Sequence, residues 1–335
     1  MSSTGKELAA VARLGLTPRV YADDTSTMSI RFDDRVVAVT GAGTGLGRAY
    51  ALLLASRGAK LLVNNRPSAD GGTDTAGDLV TLIRSQQGTA VAERSDVTSS
   101  SAAGAIVASA LASYGRLDAL ILNAGLIESC AVADLTETDL ARLYEVNTLS
   151  AFRLTQAALP VMRKQRYGRI VFATSTAGLY GNAGLAAYGM SKAALLGLMW
   201  AVAAEEADNG ILANTICPTA VTRMTEAFVS DAGLRAALSP DQVAPAVAWL
   251  ASEQCTYSGL VLLAGGGIFR SAHTLQNAGA DLRSEGRVTP EQVAAVAERI
   301  AGAQTLQGFT DAGVHFATLL DELRQAPRGH SDRQQ

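Results

Sequence analysis

Apolar positions recur along the chain in two alternating patterns. Short runs at 35–40 (RVVAVT), 60–65 (KLLVNN), 90–94 (AVAER), 117–123 (LDALILN), 168–175 (GRIVFATS), 211–217 (ILANTIC) and 258–266 (SGLVLLAGG) are apolar, most with β-branched residues. That is the signature of strands covered on both faces. Between them lie longer stretches with helical spacing at 46–58, through about 87, and at 99–114, 135–164 and 187–207. Gly58 closes the first of these, as a helix stop should. Strand–helix alternation predicts one α/β domain with a doubly wound, mostly parallel sheet of seven strands.

Outside that body the pattern changes. Residues 1–30 mix Gly, Ser, Thr and charge, and read as an N-terminal arm with one short helix at 6–14. The sheet domain is expected over 31–270. Residues 271–335 carry two helical patterns, at 290–303 and 311–323, and are expected to form an extension packed on that domain or on a neighbouring subunit.

Composition narrows the function classes. The chain has 335 residues, 48% hydrophobic and 18% charged, with a net charge of −3. No electrostatic case exists for nucleic acid or an anionic membrane as partner. The apolar run at 193–204 is too short to span a bilayer. The N-terminus shows no apolar signal core and the C-terminus, SDRQQ, no peroxisomal address. Cys130, Cys217 and Cys255 have neither paired nor metal-ligand spacing, which suggests reduced thiols in a cytoplasm and no metal site.

Two segments carry candidate chemistry. TGAGTGLG (40–47) stands between the first strand and the first helix. Such a turn presents backbone N–H groups at a helix N-terminus, where a pyrophosphate is favoured. Gly41, Thr44, Gly45, Leu46 and Gly47 are its candidate cofactor residues; an ordinary glycine-rich turn is the alternative. YGMSK (188–192) places Tyr188 and Lys192 one helical turn apart on one face. A phenol titrates near 10, and an adjacent ammonium would favour the phenolate. Taken alone, the pair could equally be a surface tyrosine and a solvated lysine.

Together these motifs resemble the short-chain dehydrogenase/reductase family. The glycine spacing matches it. So do the Asn-Ala-Gly element at Asn123, Ala124 and Gly125, and Ser175, thirteen residues before Tyr188. Asp96, with Val97 beside it, falls where the family contacts adenine. CPTAVTRM (217–224) resembles the family's Pro-Gly-x-x-x-Thr element through Pro218 and Thr222, with Thr219 in place of the glycine. The resemblance implies a Rossmann-type fold and interconversion of a ketone with a secondary alcohol on a nicotinamide cofactor. Tyr188 would be the acid/base, Lys192 would tune it and bind ribose, Ser175 would polarise the carbonyl, and Asn147 would hold a water in a proton relay. Longer stretches, including GLYGNAGLAAYGMSKAALLGL and VTPEQV, are similar to the (3R)-hydroxyacyl-CoA dehydrogenase branch, implying a 3-oxoacyl or 3-hydroxyacyl thioester in a stand-alone dehydrogenase. A steroid-like or polyketide ring ketone, or a non-catalytic nucleotide-binding role, are the alternatives.

One departure bears on the cofactor. Where that branch has Asn-Asp after its second strand, this chain has Asn64-Asn65 and then Arg66. A carboxylate there would hold the ribose hydroxyls and repel a 2′-phosphate; Asn65 removes the repulsion and Arg66 offers a bidentate partner. NADP(H) is therefore expected, with NAD(H) possible. Helix 187–207 is apolar on nearly every side, which suggests a homodimer or homotetramer buried through it. A lid is expected at 220–238, with Met224, Phe228, Val229 and Leu234 as its apolar set.

Overall fold

The computed structural model describes residues 29–67, 73–223, 225–226, 229–283, 287–303, 305–309 and 311–325. The N-terminal arm and its helix, and Met224 and Phe228 of the expected lid, lie outside the described residues. Two compact units divide the chain: Met28–Ala272, and a second holding Met1–Thr27 with His273–Gln335.

The larger unit is built on one sheet. Its strands are β1 (Val36–Thr40), β2 (Lys60–Asn64), β3 (Thr89–Glu93), β4 (Ala119–Leu122), β5 (Gly168–Ala173), β6 (Ile211–Pro218), β7 (Val261–Gly265) and β8 (Ile268–Ala272). Among the described residues the order is β3-β2-β1-β4-β5-β6-β7-β8, parallel except for the β7–β8 hairpin. The chain crosses from one half of the sheet to the other between β3 and β4. A crevice opens there at the carboxyl ends of β1 and β4, where such sheets bind ligands.

Eight strands replace the expected seven. The missed strand, β8, is amphipathic and exposed along most of its length, so no buried apolar run marks it. Its signal was Gly266-Gly267, both at positive φ, a two-residue turn that folds β8 back onto β7. The larger compact unit ends with β8, at Ala272.

Alternate residues of each strand serve opposite faces. Val37, Val39, Leu61, Val63, Ile121 and Val171 pack with Tyr50 and Leu54 of α1 (Gly45–Ser56) and Leu79 and Ile83 of α2 (Thr75–Ser85). Val36, Ala38, Leu62, Leu120, Ile170 and Phe172 face Ile106 of α3 (Ala102–Tyr114). A second helical stretch covers that same face, expected as largely helical over 135–164. It divides into α4 (Glu137–Tyr144), a π-helical turn (Glu145–Leu149) and α5 (Ser150–Gln165). After β5 come α6 (Thr176–Tyr180) and α7 (Ala186–Glu205). By length and composition α7 could cross a membrane, which the shorter run at 193–204 had not suggested. Here Leu195, Met199 and Val202 join the core on the α3 face. Then follow α8 (Ala232–Ala237) and α9 (Ala244–Ala251). The smaller unit contains α10 (Pro290–Ala295), α11 (Ala297–Ala301) and α12 (Ala312–Arg324).

Candidate active site

The glycine turn has the shape its sequence requires. Gly41 and Gly45 sit at φ of 61° and 53°, a region that L side chains avoid. A Cβ on Gly47 would stand 2.3 Å from the Gly41 carbonyl oxygen. Thr44 begins α1 without capping it through its side chain, and the first turn holds no acid. The N-terminal N–H groups and the helix dipole thus remain available to an anion. Thr222 closes over the turn, its methyl 3.4 Å from where a Gly45 Cβ would be. These features fit the pyrophosphate of a dinucleotide.

The Asn-Ala-Gly element ties β1 to β4. The Asn123 carboxamide donates to the carbonyls of Thr40 (3.1 Å) and Gly41 (3.3 Å). The N–H groups of Asn123 and Ala124 both donate to the Thr40 hydroxyl, at 3.0 and 3.1 Å. Thr40 was not singled out from sequence, yet it fixes the mouth of the crevice. Thr219, which takes the place of a family glycine, is accommodated by Gly265: a Cβ there would lie 2.7 Å from the Thr219 Cβ.

At the tip of β2 the predicted residues separate. Asn64 is buried and donates to Glu93 Oε2 (2.6 Å) and the Ser95 carbonyl (3.0 Å), a structural role. Asn65 donates to Thr75 Oγ1 (2.8 Å) and reaches the glycine turn, 2.8 Å from where a Gly43 Cβ would stand. Arg66 is paired with Asp96 at 2.8 Å. Asp96 is fixed by Thr98, whose N–H and hydroxyl both donate to Oδ1. Burial pushes the Asp96 carboxyl up, but the Thr98 bonds and the Arg66 charge together hold it below its usual value. Val97 is partly buried and packs against the core on the α3 face.

The four catalytic candidates converge. Ser175 follows β5 and N-caps α6, accepting from the Ala177 N–H at 3.2 Å. Close contact of α6 with α7, where a Gly178 Cβ would sit 2.8 Å from the Ala193 nitrogen, brings Ser175 near enough to the Tyr188 phenol to act on its pKa. Lys192 is buried and its ammonium donates to the Ala173 carbonyl at 2.8 Å. Asn147 sits in the π-helical turn, also buried. A π turn displaces one residue from the helical register and is frequent at functional sites. A Cβ on Gly125 would lie 3.1 Å from Asn147 Oδ1 and 3.2 Å from Lys192 Nζ, so a side chain there would crowd both.

The protonation pattern differs from the expectation. Burial lowers the Lys192 pKa to about 8. Tyr188 lies above its usual value, raised by burial and only partly offset by the Ser175 hydrogen bond. The ammonium stands 5.9 Å from the phenol ring centroid and is turned to the Ala173 carbonyl, so it does not bring the phenol down as its spacing had suggested. Cys217 lies close enough for its charge to couple to Lys192, and burial pushes its thiol up to about 12.

A parallel sheet with a dinucleotide-shaped turn at its switch point and a Ser–Tyr–Lys–Asn cluster beside it defines a nicotinamide-dependent oxidoreductase. The family model described as short chain dehydrogenase matches residues 35–232. The chain is 37% identical over 314 residues to peroxisomal multifunctional enzyme type 2 of Drosophila melanogaster, covering 92% of this chain and 52% of that protein. The structure of that full-length protein superposes with a TM-score of 0.75 at 33% identity, over 88% of this chain and 50% of the other. The chain thus spans about half the length of this relative. The 3-oxoacyl-[acyl-carrier-protein] reductase FabG of Escherichia coli is 32% identical over 250 residues, 72% of this chain and 99% of that one. A 7α-hydroxysteroid dehydrogenase complexed with NADH and 7-oxo glycochenodeoxycholic acid matches with a TM-score of 0.65 at 30% identity, over 71% of this chain and 95% of that one. The chain belongs to the short-chain dehydrogenase/reductase family. It is an enzyme acting on CH–OH groups, and the family binds NAD(P)(H).

Proposed function

We propose that this enzyme interconverts a 3-oxoacyl thioester, or a similar β-keto compound, with the 3-hydroxy form, using NADP(H) in preference to NAD(H). The observation that carries the reaction is the convergence of Ser175, Tyr188, Lys192 and Asn147 on one end of the crevice. The name of the E. coli relative, a 3-oxoacyl-[acyl-carrier-protein] reductase, supports the substrate class. A bound nicotinamide supplies or accepts the hydride. Tyr188 gives its proton to the carbonyl oxygen in reduction and takes it back in oxidation. The Ser175 hydroxyl donates to that same oxygen. Lys192, buried and charged below about pH 8, is anchored on the Ala173 carbonyl beside Tyr188, where it would hold the cofactor ribose.

The cofactor preference rests on the tip of β2. No carboxylate stands at Asn65, and Arg66 already neutralises Asp96, so a 2′-phosphate meets a cation there and no unpaired acid. A fluorescence titration with NADPH and NADH tests it; tighter NADH binding would refute it. Turnover is tested with acetoacetyl-CoA: Tyr188→Phe should abolish it while cofactor binding persists. The likeness to the hydroxysteroid dehydrogenase supports a second reading, a ring ketone as substrate, to be tested with a 7-oxo bile acid in the same assay. We further propose a homodimer or homotetramer through α7, whose Met190 and Trp200 are exposed, as is Phe152 of α5. The three free thiols support a reducing compartment such as the cytoplasm, although the Drosophila relative is named as peroxisomal.

A further inference from the structure

We infer that Ser191 is a positioning residue for the catalytic set, acting through Asn147. The inference rests on the reading above, in which Asn147 belongs to that set. Ser191 precedes Lys192 on α7 and is fully buried. Its hydroxyl donates to the Tyr188 carbonyl at 2.8 Å and accepts from Asn147 Nδ2 at 2.9 Å. It therefore couples the backbone under the acid/base to the side chain on the facing π turn. The adjacent Thr148 donates to the Ser191 carbonyl at 2.9 Å, a second link between the π turn and α7.

The Asn147 carboxamide has two donors and one acceptor oxygen. The oxygen accepts from the Leu126 N–H at 2.7 Å, and one donor goes to the Leu126 carbonyl at 3.0 Å. Ser191 takes the other donor. Both donors are thus consumed inside the protein, and only the oxygen's second lone pair remains, on the side of Gly125 and Lys192. Without the Ser191 hydroxyl, a buried N–H would lose its partner, and the carboxamide would be held from the Leu126 side alone. A buried donor without a partner is costly, so the carboxamide would turn or the π turn would shift. Either change moves the oxygen relative to Gly125 and Lys192. A plain packing serine has no such consequence.

The test is a double-mutant cycle in the full-length chain, with acetoacetyl-CoA and NADPH. Ser191→Ala should cut kcat about tenfold, the worth of one buried hydrogen bond. KM for acetoacetyl-CoA and Kd for NADPH should stay within about twofold, because Ser191 touches neither. Asn147→Ala should be slow, and the double variant Ser191→Ala/Asn147→Ala no slower than Asn147→Ala, because the serine acts through the asparagine. Additive losses, or an unchanged kcat in Ser191→Ala, would overturn the proposal. A second readout needs no turnover: the side-chain amide signals of Asn147 in a ¹⁵N spectrum, assigned by their loss in Asn147→Ala. They should move, and exchange faster with solvent, in Ser191→Ala; unmoved signals would overturn the proposal. Full turnover in Tyr188→Phe would instead refute the catalytic reading itself.

Discussion

Lys192 makes the most demanding test of the site's physics. Its side chain is 5% exposed and burial holds its pKa at about 8 against an ordinary 10.5. The sign follows from proton counting. Between pH 8 and 10.5 the unfolded chain keeps this proton and the folded chain sheds it, so stability rises with pH through that window. As pH falls towards 8 the contribution is lost, and below 8 the folded protein carries a buried charge at full cost. Lys192→Met removes the titration. From pH 7 to pH 10 the wild type should gain about 2–3 kcal/mol on the variant, the integral of a shift worth about 1.4 kcal/mol per pKa unit. Tyr188 acts in the opposite sense above pH 10, where its raised pKa makes the folded chain the tighter proton binder. Measurements should stop there. Urea unfolding followed by the fluorescence of Trp200 and Trp249 at pH 7, 8, 9 and 10 reads the difference. A constant gap, or one closing in the other direction, would refute a desolvated ammonium at this position.

The remaining predictions concern single contacts. Tyr50 is fully buried and its hydroxyl has no partner among the described residues, so Tyr50→Phe should raise stability by about 1 kcal/mol, visible as a higher urea midpoint at unchanged slope. Gly125→Ala would put a methyl against Asn147 Oδ1 and Lys192 Nζ; kcat should fall at least about tenfold with NADPH affinity nearly kept, and an active variant would refute the close packing. Arg66→Ala should weaken NADPH binding about ten- to a hundredfold, the range of a charge-assisted hydrogen bond, and leave NADH unchanged. Isothermal titration with both cofactors checks it, and equal losses for both would show that Arg66 reads something other than the phosphate.

How much of this could be read from the chain follows from what kind of signal each feature leaves. Buried parallel strands announce themselves, because both faces are apolar, and seven were legible as runs. β8 was not, because an edge strand with four exposed residues has no such run. The π turn was hidden for a different reason. An extra residue in a helix does not alter composition, and 135–164 reads as largely helical although Asn147 depends on the break. The glycine turn, Asn123, Ser175, Tyr188 and Lys192 were legible as spacing. Thr40 and Ser191 were not, since a threonine at a strand end and a serine in a helix are ordinary until their partners are known.

The tip of β2 shows where sequence reasoning stops even when the residues are chosen well. Asn65 and Arg66 were legible as the missing acid and the added base. Their partners were not. Arg66 faces Asp96 and Arg94 faces Asp74, so both cations already have an anion. Asp74 is held by the Gly77 N–H, as Asp96 is by Thr98, so both carboxylates are fixed in place. A 2′-phosphate must therefore compete with Asp96 for Arg66, and the exposed pair is worth at most about 1 kcal/mol. A phosphate with a charge near −2 outbids a single exposed carboxylate at that cost. The proposed preference for NADP(H) then rests on the difference between two ion pairs, and salt should weaken NADPH binding more than NADH binding.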